Sequence, residues 1–249
     1  MAFLELRYFS DALRKHTSAN VILPEVGEPP YPVLYLLHGL SDDHTAWARN
    51  TSIERYVEDL PLIVVMPDGG RGFYVDAKEG FAYGTAIGTE LPDRIERTFP
   101  AKRERTGRAI AGLSMGGYGA LRLALTHPDR FCAAASLSGA VAWGSSPRAD
   151  LNPRQGAEWT RIHGANPTGT DSDLWHLSTA CPDDTLPALH LDCGVDDFLI
   201  EANGAFHAHL SEKNVPHEYE EFPGEHDWAY WDTHISQAIT FVMAAMAAD

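Results

Sequence analysis

Residues 108–126 read Arg-Ala-Ile-Ala-Gly-Leu-Ser-Met-Gly-Gly-Tyr-Gly-Ala-Leu-Arg-Leu-Ala-Leu-Thr. The apolar run at 108–113 predicts a buried strand, and residues 116–126 predict a helix. Between them lies Gly-Leu-Ser-Met-Gly, a G-x-S-x-G motif whose strained turn lifts a serine hydroxyl above the edge of a sheet. Glycine on each side of the turn avoids collisions with the neighbouring strand and helix. Ser114 is therefore the candidate nucleophile.

Apolar runs and turn signals elsewhere in the chain predict further strands and helices. Strands are expected at 3–9, 18–23, 33–37, 62–66, 108–113, 131–137, 188–193 and 217–222, and helices at 83–98, 116–126, 199–213 and 230–247. Pro92 is expected to kink or restart the first of these helices. The alternation predicts an α/β fold with a mostly parallel sheet and helices on both faces. Ligands of such sheets bind at the carboxyl ends of the strands.

The length of 249 residues fits one large α/β domain spanning residues 1–249. The pattern weakens between residues 139 and 187, where proline, glycine, asparagine and aspartate recur. Because a strand pattern resumes at 188, we interpret 139–187 as an insertion within the domain, acting as a lid or pocket wall over the strand ends.

A serine hydroxyl needs a base, and in folds with this motif the partners follow in the order serine, acid, histidine. The loop after the strand at 188–193 offers two acids, Asp196 and Asp197. The loop after the strand at 217–222 carries one histidine, His226. Among the other histidines, seven lie at places typical of surface or packing roles: His127, His163, His176, His190, His207, His209 and His217. These residues predict a serine–histidine–aspartate triad and leave the choice of aspartate open.

Two backbone N–H groups are expected to bind a developing oxyanion. One belongs to Met115, the residue after the nucleophile, and the other to Leu40, in the loop after the third strand. Gly39 allows that loop to approach closely.

His38, at the start of the same loop, is interpreted as a hydrogen-bonding residue that holds it. A metal site made of His38, Asp42, Asp43 and His44 is a weaker alternative, because their spacing matches no zinc pattern. The sequence predicts no metal and no cofactor.

The net charge of −16, from 19 basic and 35 acidic residues, argues against nucleic acid or a membrane as a partner. Three cysteines without C-x-x-C spacing indicate a reducing compartment and no structural disulfide. The N-terminus lacks the apolar core of a signal peptide, and no stretch is apolar enough to span a bilayer. We expect a cytoplasmic protein that acts on a small-molecule ester. The sequence does not decide whether the protein forms a homo-oligomer.

Five stretches together resemble the esterase D-type family of α/β-hydrolases, which includes S-formylglutathione hydrolases, tributyrin esterases, feruloyl and acetyl-xylan esterases and the antigen-85 mycolyltransferases. The stretches are 36–40 (Leu-Leu-His-Gly-Leu), 67–74 (Pro-Asp-Gly-Gly-Arg-Gly-Phe-Tyr), 112–121, 194–198 (Gly-Val-Asp-Asp-Phe) and 224–228 (Gly-Glu-His-Asp-Trp). The resemblance implies the α/β-hydrolase fold and a carboxylesterase. It implies Ser114 as nucleophile, His226 as base and Asp197 as acid, and it supports Leu40 and Met115 as oxyanion donors.

The chain departs from the S-formylglutathione hydrolases at Tyr118, where they usually have histidine, and it lacks their cysteine-rich segment after the Pro-Asp strand. These departures favour hydrolysis of short-chain acyl esters. A thioesterase of the S-formylglutathione type and a feruloyl or acetyl-xylan esterase are the alternatives. A catalytically silent binding module is the alternative from outside the enzymes, and the complete triad argues against it.

Aromatic residues near the strand ends are expected to line a rather closed acyl pocket. They are Trp143, Trp175, Trp228, Phe73 and Tyr74. The competing interpretation is that the tryptophans only anchor the insertion to the core. A closed pocket predicts a preference for acetyl to butyryl esters.

Overall fold

The computed structural model describes residues 1–145 and 151–248, so residues 146–150 of the predicted insertion and the last residue of the predicted domain lie outside the described part. Its sheet has eight strands in the order β1-β2-β4-β3-β5-β6-β7-β8. The strands are β1 (Ala2–Ser10), β2 (Lys15–Leu23), β3 (Val33–Leu37), β4 (Ile63–Pro67), β5 (Arg108–Leu113), β6 (Ala133–Leu137), β7 (Ala188–Gly194) and β8 (Glu218–Phe222). The helices are α1 (Ala46–Asn50), α2 (Ile53–Val57), α3 (Tyr83–Thr85), α4 (Leu91–Thr98), α5 (Met115–Thr126), α6 (Pro153–His163), α7 (Leu174–Ala180), α8 (Ile200–Glu212) and α9 (Trp228–Ala247).

Six strands, β3 to β8, run parallel, whereas β1 and β2 form an antiparallel hairpin that joins the sheet beside β4. The predicted α/β fold with a mostly parallel sheet is therefore confirmed. Residues of β3 alternate between two buried clusters: Tyr35 faces the layer with α4, α5 and α8, and Leu36 faces the layer with α1, α2 and α9. Helices on both faces explain why the inner parallel strands, β3 to β6, are buried along their whole length.

The predicted helix at 83–98 is interrupted by a π-helical turn, Ala86–Glu90, between α3 and α4. The backbone N–H of Leu91 donates to the carbonyl of Ala86, five residues earlier. Pro92 has no N–H, and its ring excludes the carbonyl four residues before it. The helix therefore restarts at α4, with the irregular turn before the proline.

The segment 139–187 contains two helices, α6 and α7, that periodicity did not predict. The residues that cap these helices mark where they begin. At the start of α6, the Asn152 side chain accepts from the Gln155 N–H, and the Gln155 side chain accepts from the Asn152 N–H, which is a capping box. Asp173 caps α7 by accepting from the N–H of Trp175. The segment is tied to α5 beneath it, because the Tyr118 hydroxyl donates to the Ser172 carbonyl. In the described part of the chain, no helix combines the length and apolarity needed to cross a membrane.

Candidate active site

Ser114 lies on the sharp turn between β5 and α5, with φ 52° and ψ −115°. A non-glycine residue with positive φ is strained, so the surroundings must hold it there. The Ser114 N–H donates to the Leu137 carbonyl of the neighbouring strand end (2.9 Å), and its carbonyl accepts from Ala140 (3.0 Å). A β-carbon on Gly112 would lie 2.5 Å from the backbone of Gly116, so only glycine fits there.

The loops after β7 and β8 bring Asp197 and His226 to this serine. His226 Nδ1 lies 2.7 Å from Asp197 Oδ2, and His226 Nε2 lies 3.0 Å from Ser114 Oγ. Because a carboxylate only accepts, Nδ1 carries the hydrogen and Nε2 is left to accept from the serine hydroxyl. The imidazole also packs against the rings of Phe198 and Trp231, with distances between ring centroids of 4.5 and 4.9 Å. These rings limit its rotation.

Asp197, and not its neighbour Asp196, makes this contact. Asp197 is 2% exposed, whereas Asp196 is exposed and its N–H donates to the Gly224 carbonyl. Burial pushes the pKa of Asp197 upward, but hydrogen bonds from His226, the Leu199 N–H and Ser138 outweigh it and leave the pKa lowered. Asp197 is therefore a carboxylate that can stabilise a protonated imidazole.

The turn after β3 lies against Ser114. A β-carbon on Gly39 would be 3.7 Å from the Ser114 Cβ, and the half-buried Leu40 follows it. Met115 is buried at the first position of α5, where helix N–H groups have no acceptor within the helix. The two predicted donors, Leu40 and Met115, thus belong to two turns that meet at the serine.

The side chain of His38 holds this turn to the loop after β4. The Gly69 N–H donates to His38 Nε2 (2.9 Å), so the ring hydrogen is on Nδ1, which donates to the Gly39 carbonyl (2.7 Å). Burial lowers the pKa of His38, which keeps the ring neutral. Among the described residues, no three His, Cys, Asp or Glu side chains are placed to hold a metal ion together. The alternative metal site at His38, Asp42, Asp43 and His44 therefore has no support from the geometry.

A groove with a volume of about 370 Å³ lies next to the triad, because its lining includes Phe198, whose ring contacts His226, and Ala140, whose N–H donates to the Ser114 carbonyl. It is lined by Ala140, Ala142, Trp143, Phe198, Leu199, Glu201 and Ala202. Of the predicted pocket residues, Trp143 lies in this wall, and Phe73 stacks behind it with ring centroids 4.9 Å apart.

The structure places the other three predicted pocket residues away from this wall. Tyr74 is completely buried, and its hydroxyl donates to the His38 carbonyl. Trp175 packs on Phe206 of α8, 4.8 Å away. Trp228 packs edge-on against Trp47 in the cluster on the opposite face of the sheet. These side chains are drawn into the two cores because each has a large apolar surface to bury.

Sequence reasoning predicted Trp143 alone among the groove residues, and Phe198 is the large aromatic residue that it missed. It is 75% exposed and lies directly beside Asp197 in the chain. An aromatic residue next to a predicted catalytic acid in a strand-end loop was the available signal. The small residues Ala140 and Ala142 carried no such signal.

The chain matches known proteins over nearly its whole length. A family model described as "Putative esterase" matches residues 10–242. An acetyl esterase of Caldicellulosiruptor saccharolyticus is 30% identical, with 97% of this chain and 98% of the relative covered. Two solved structures from Staphylococcus aureus are each 36% identical and cover 97% of this chain and 98% of their own: a fluorophosphonate-binding serine hydrolase with its substrate bound (TM-score 0.85) and an S-formylglutathione hydrolase (TM-score 0.84).

Proposed function

The chain belongs to the esterase family and is a serine hydrolase of carboxylic esters with the α/β-hydrolase fold, and we propose that Ser114, His226 and Asp197 are its catalytic triad. The observation that carries this proposal is the continuous hydrogen-bond chain from Ser114 Oγ through His226 to the buried Asp197. The strained backbone of Ser114 supports it, because such strain persists where function requires it.

In the proposed mechanism, Ser114 Oγ attacks the ester carbonyl while His226 Nε2 takes the hydroxyl proton. Asp197 keeps the imidazole in the required tautomer and stabilises its positive charge. The N–H groups of Leu40 and Met115 donate to the oxyanion of the tetrahedral intermediate. His226 then gives the proton to the departing alcohol, and water, activated by the same imidazole, releases the acyl group from Ser114.

We further propose that the preferred substrates are esters of short acyl chains, acetyl to butyryl. The support for this proposal is the groove wall beside the triad, where Trp143 is backed by the stacked ring of Phe73. Trp143 belongs to the segment 139–187, which we propose to be an insertion that forms the pocket wall of a single domain.

A thioester of the S-formylglutathione type is the second candidate, because one 36% identical relative is named for that activity. The departure at Tyr118 weighs little against it. Tyr118 is fully buried with its hydroxyl on the Ser172 carbonyl, so it belongs to the packing beneath the segment 139–187.

We infer a cytoplasmic site of action on a small-molecule ester. The three cysteines are buried, and burial raises the pKa of the Cys193 thiol to about 12. Such thiols are unreactive packing residues, as in proteins of reducing compartments.

The test uses purified wild-type protein and Ser114→Ala with a panel of p-nitrophenyl acyl esters, a feruloyl ester and S-formylglutathione. Ser114→Ala is expected to lose about 10⁴- to 10⁶-fold in activity and all labelling by a fluorophosphonate. Retention of more than a few per cent of the ester hydrolysis by Ser114→Ala contradicts the proposed nucleophile. In the wild type, a kcat/KM for S-formylglutathione far above that for every oxygen ester favours the second candidate.

A further inference from the structure

The loop between β4 and α3 is bonded to the turn after β3 by the buried hydroxyl of Tyr74. Tyr74 is 0% exposed, and its hydroxyl donates to the His38 carbonyl at 2.9 Å. Burial raises the pKa of Tyr74 far above its usual value, so the hydroxyl keeps its hydrogen and stays a donor. A buried carbonyl with such a partner is fixed in position, since losing the bond would leave it unsatisfied.

The same turn is held a second time by the loop after β4. Gly69 donates its N–H to the ring of His38, and that ring donates to the carbonyl of Gly39. The carbonyl of His38 and its side chain therefore both depend on this loop. The next peptide groups along the chain lead to the N–H of Leu40, the proposed oxyanion donor.

Tyr74 is itself held in a strained conformation. Its φ is 54°, and that of Phe73 is 49°, both in the left-handed region that side chains other than glycine avoid. Arg122 of α5, 3% exposed, donates from Nη1 to the Tyr74 carbonyl at 3.0 Å. The same guanidinium is fixed by two further bonds to Asp171. Strain of this kind is retained only where the surrounding contacts impose it.

We infer that Tyr74 is a positioning residue for ester hydrolysis. It holds the His38–Leu40 turn where the Leu40 N–H meets the oxyanion that forms at Ser114. This inference rests on the proposed oxyanion role of Leu40. An oxyanion donor acts only within about 2.7–3.1 Å of the charged oxygen, so a small displacement of the turn weakens transition-state binding more than substrate binding.

Tyr118 provides a matched control. It is also 0% exposed, and its hydroxyl also donates to a backbone carbonyl, that of Ser172, at 2.7 Å. Changing either tyrosine to phenylalanine removes one buried hydroxyl and leaves one carbonyl without that donor. The two changes differ in which carbonyl loses its donor. The His38 carbonyl, bonded to Tyr74, lies in the turn that carries Leu40, whereas the Ser172 carbonyl, bonded to Tyr118, lies in the segment 139–187.

The experiment compares Tyr74→Phe with Tyr118→Phe in the full-length protein. For each variant, the measurements are the unfolding midpoint in urea, kcat and KM for p-nitrophenyl acetate, and the inhibition constant of n-butylboronic acid, which forms a tetrahedral adduct with a serine. Tyr74→Phe is expected to lower kcat about tenfold or more, but less than the roughly 10²- to 10³-fold loss typical of deleting an oxyanion donor itself. Its KM is expected to stay within about twofold, and its boronate affinity to fall in proportion to kcat. Tyr118→Phe is expected to lose similar stability with kcat and boronate affinity within about twofold of wild type.

A wild-type kcat in Tyr74→Phe, or an equal loss in Tyr118→Phe, overturns the inference. Should Tyr74→Phe not fold, Arg122→Met is measured instead, because methionine keeps a long side chain but has no donor for the Tyr74 carbonyl. A wild-type boronate affinity in Arg122→Met then overturns the inference. Failure of the triad proposal is recognised separately, by hydrolysis that survives Ser114→Ala.

Discussion

The triad loops and the segment 139–187 are held in different ways. The triad loops follow parallel strands, and hydrogen bonds join the ends of adjacent strands, such as Ser114 N–H to Leu137 and Asp196 N–H to Gly224. The segment is fixed by side chains that act across long separations, such as Tyr118 on Ser172, 54 residues away. The proposed triad is therefore positioned by the topology of the sheet, whereas the proposed pocket wall depends on contacts made by side chains.

The largest expected effect comes from the triad loops. Asp197→Asn leaves the imidazole with a partner that no longer favours the reactive tautomer, and we expect kcat to fall about 10⁴-fold or somewhat less for every ester. The matched control is Asp196→Asn, one residue earlier, exposed and bonded only through its backbone to Gly224. It is expected to stay within about twofold of wild type. If the two variants exchange behaviour in steady-state assays, the acid has been assigned to the wrong residue.

A smaller effect, selective between substrates, is expected from the segment 139–187. In wild type, kcat/KM is expected to fall at least about tenfold between butyryl and octanoyl p-nitrophenyl esters, since each misfitting methylene group can matter by about 1 kcal/mol. Trp143→Ala opens the groove wall and is expected to flatten this profile while leaving acetyl ester hydrolysis within about threefold.

Trp175→Ala is the control for that profile, because Trp175 packs on Phe206 and the ring of His209. Its profile is expected to match wild type. An equal broadening in Trp175→Ala means that the whole segment, and not one wall residue, sets the chain length. A wild-type maximum at octanoyl or longer contradicts the short-chain proposal and points to an open lipid groove.

The smallest expected effect is on stability against pH. The lowered pKa of Asp197 means that its ionised form stabilises the folded protein. This contribution is present above the unfolded-state pKa of about 3.9 and is lost as the pH falls through the lower folded-state value. The Tm of wild type relative to Asp197→Asn is therefore expected to be higher at pH 6 than at pH 3. A Tm difference that is constant between the two pH values shows that the carboxylate is not linked to folding.

Most of the fold could be predicted from the sequence, because the inner strands of the parallel sheet are short, largely apolar runs. The strands at 33–37 and 108–113 have the predicted bounds, and the others shift by a few residues. The triad geometry was predictable for the same reason, since the strand ends place residues 114, 197 and 226 at one edge of the sheet. The helices α6 and α7 were missed because their periodicity is weak, although Asn152 and Asp173 mark their starts.

The pocket was less predictable than the triad. Trp143 and Tyr74 are both large aromatic residues near strand ends, and the sequence gives no difference between them. Their positions depend on contacts with residues elsewhere in the chain. The Tyr74 hydroxyl donates to the His38 carbonyl, and the Trp143 carbonyl accepts from the indole N–H of Trp159. Such contacts depend on the assembled tertiary structure and have no local sequence pattern.

The glycines that flank Ser114 influence how this protein can evolve. A side chain at residue 112 or 116 would collide with backbone atoms, so selection removes it whether or not the protein still catalyses a reaction. Ser114 itself can mutate to another small residue without disturbing that frame. A lineage that exchanged hydrolysis for binding would keep both glycines and lose only the serine. The glycines are therefore inherited with the fold, whereas Ser114, like its proposed partners His226 and Asp197, is inherited with the chemistry.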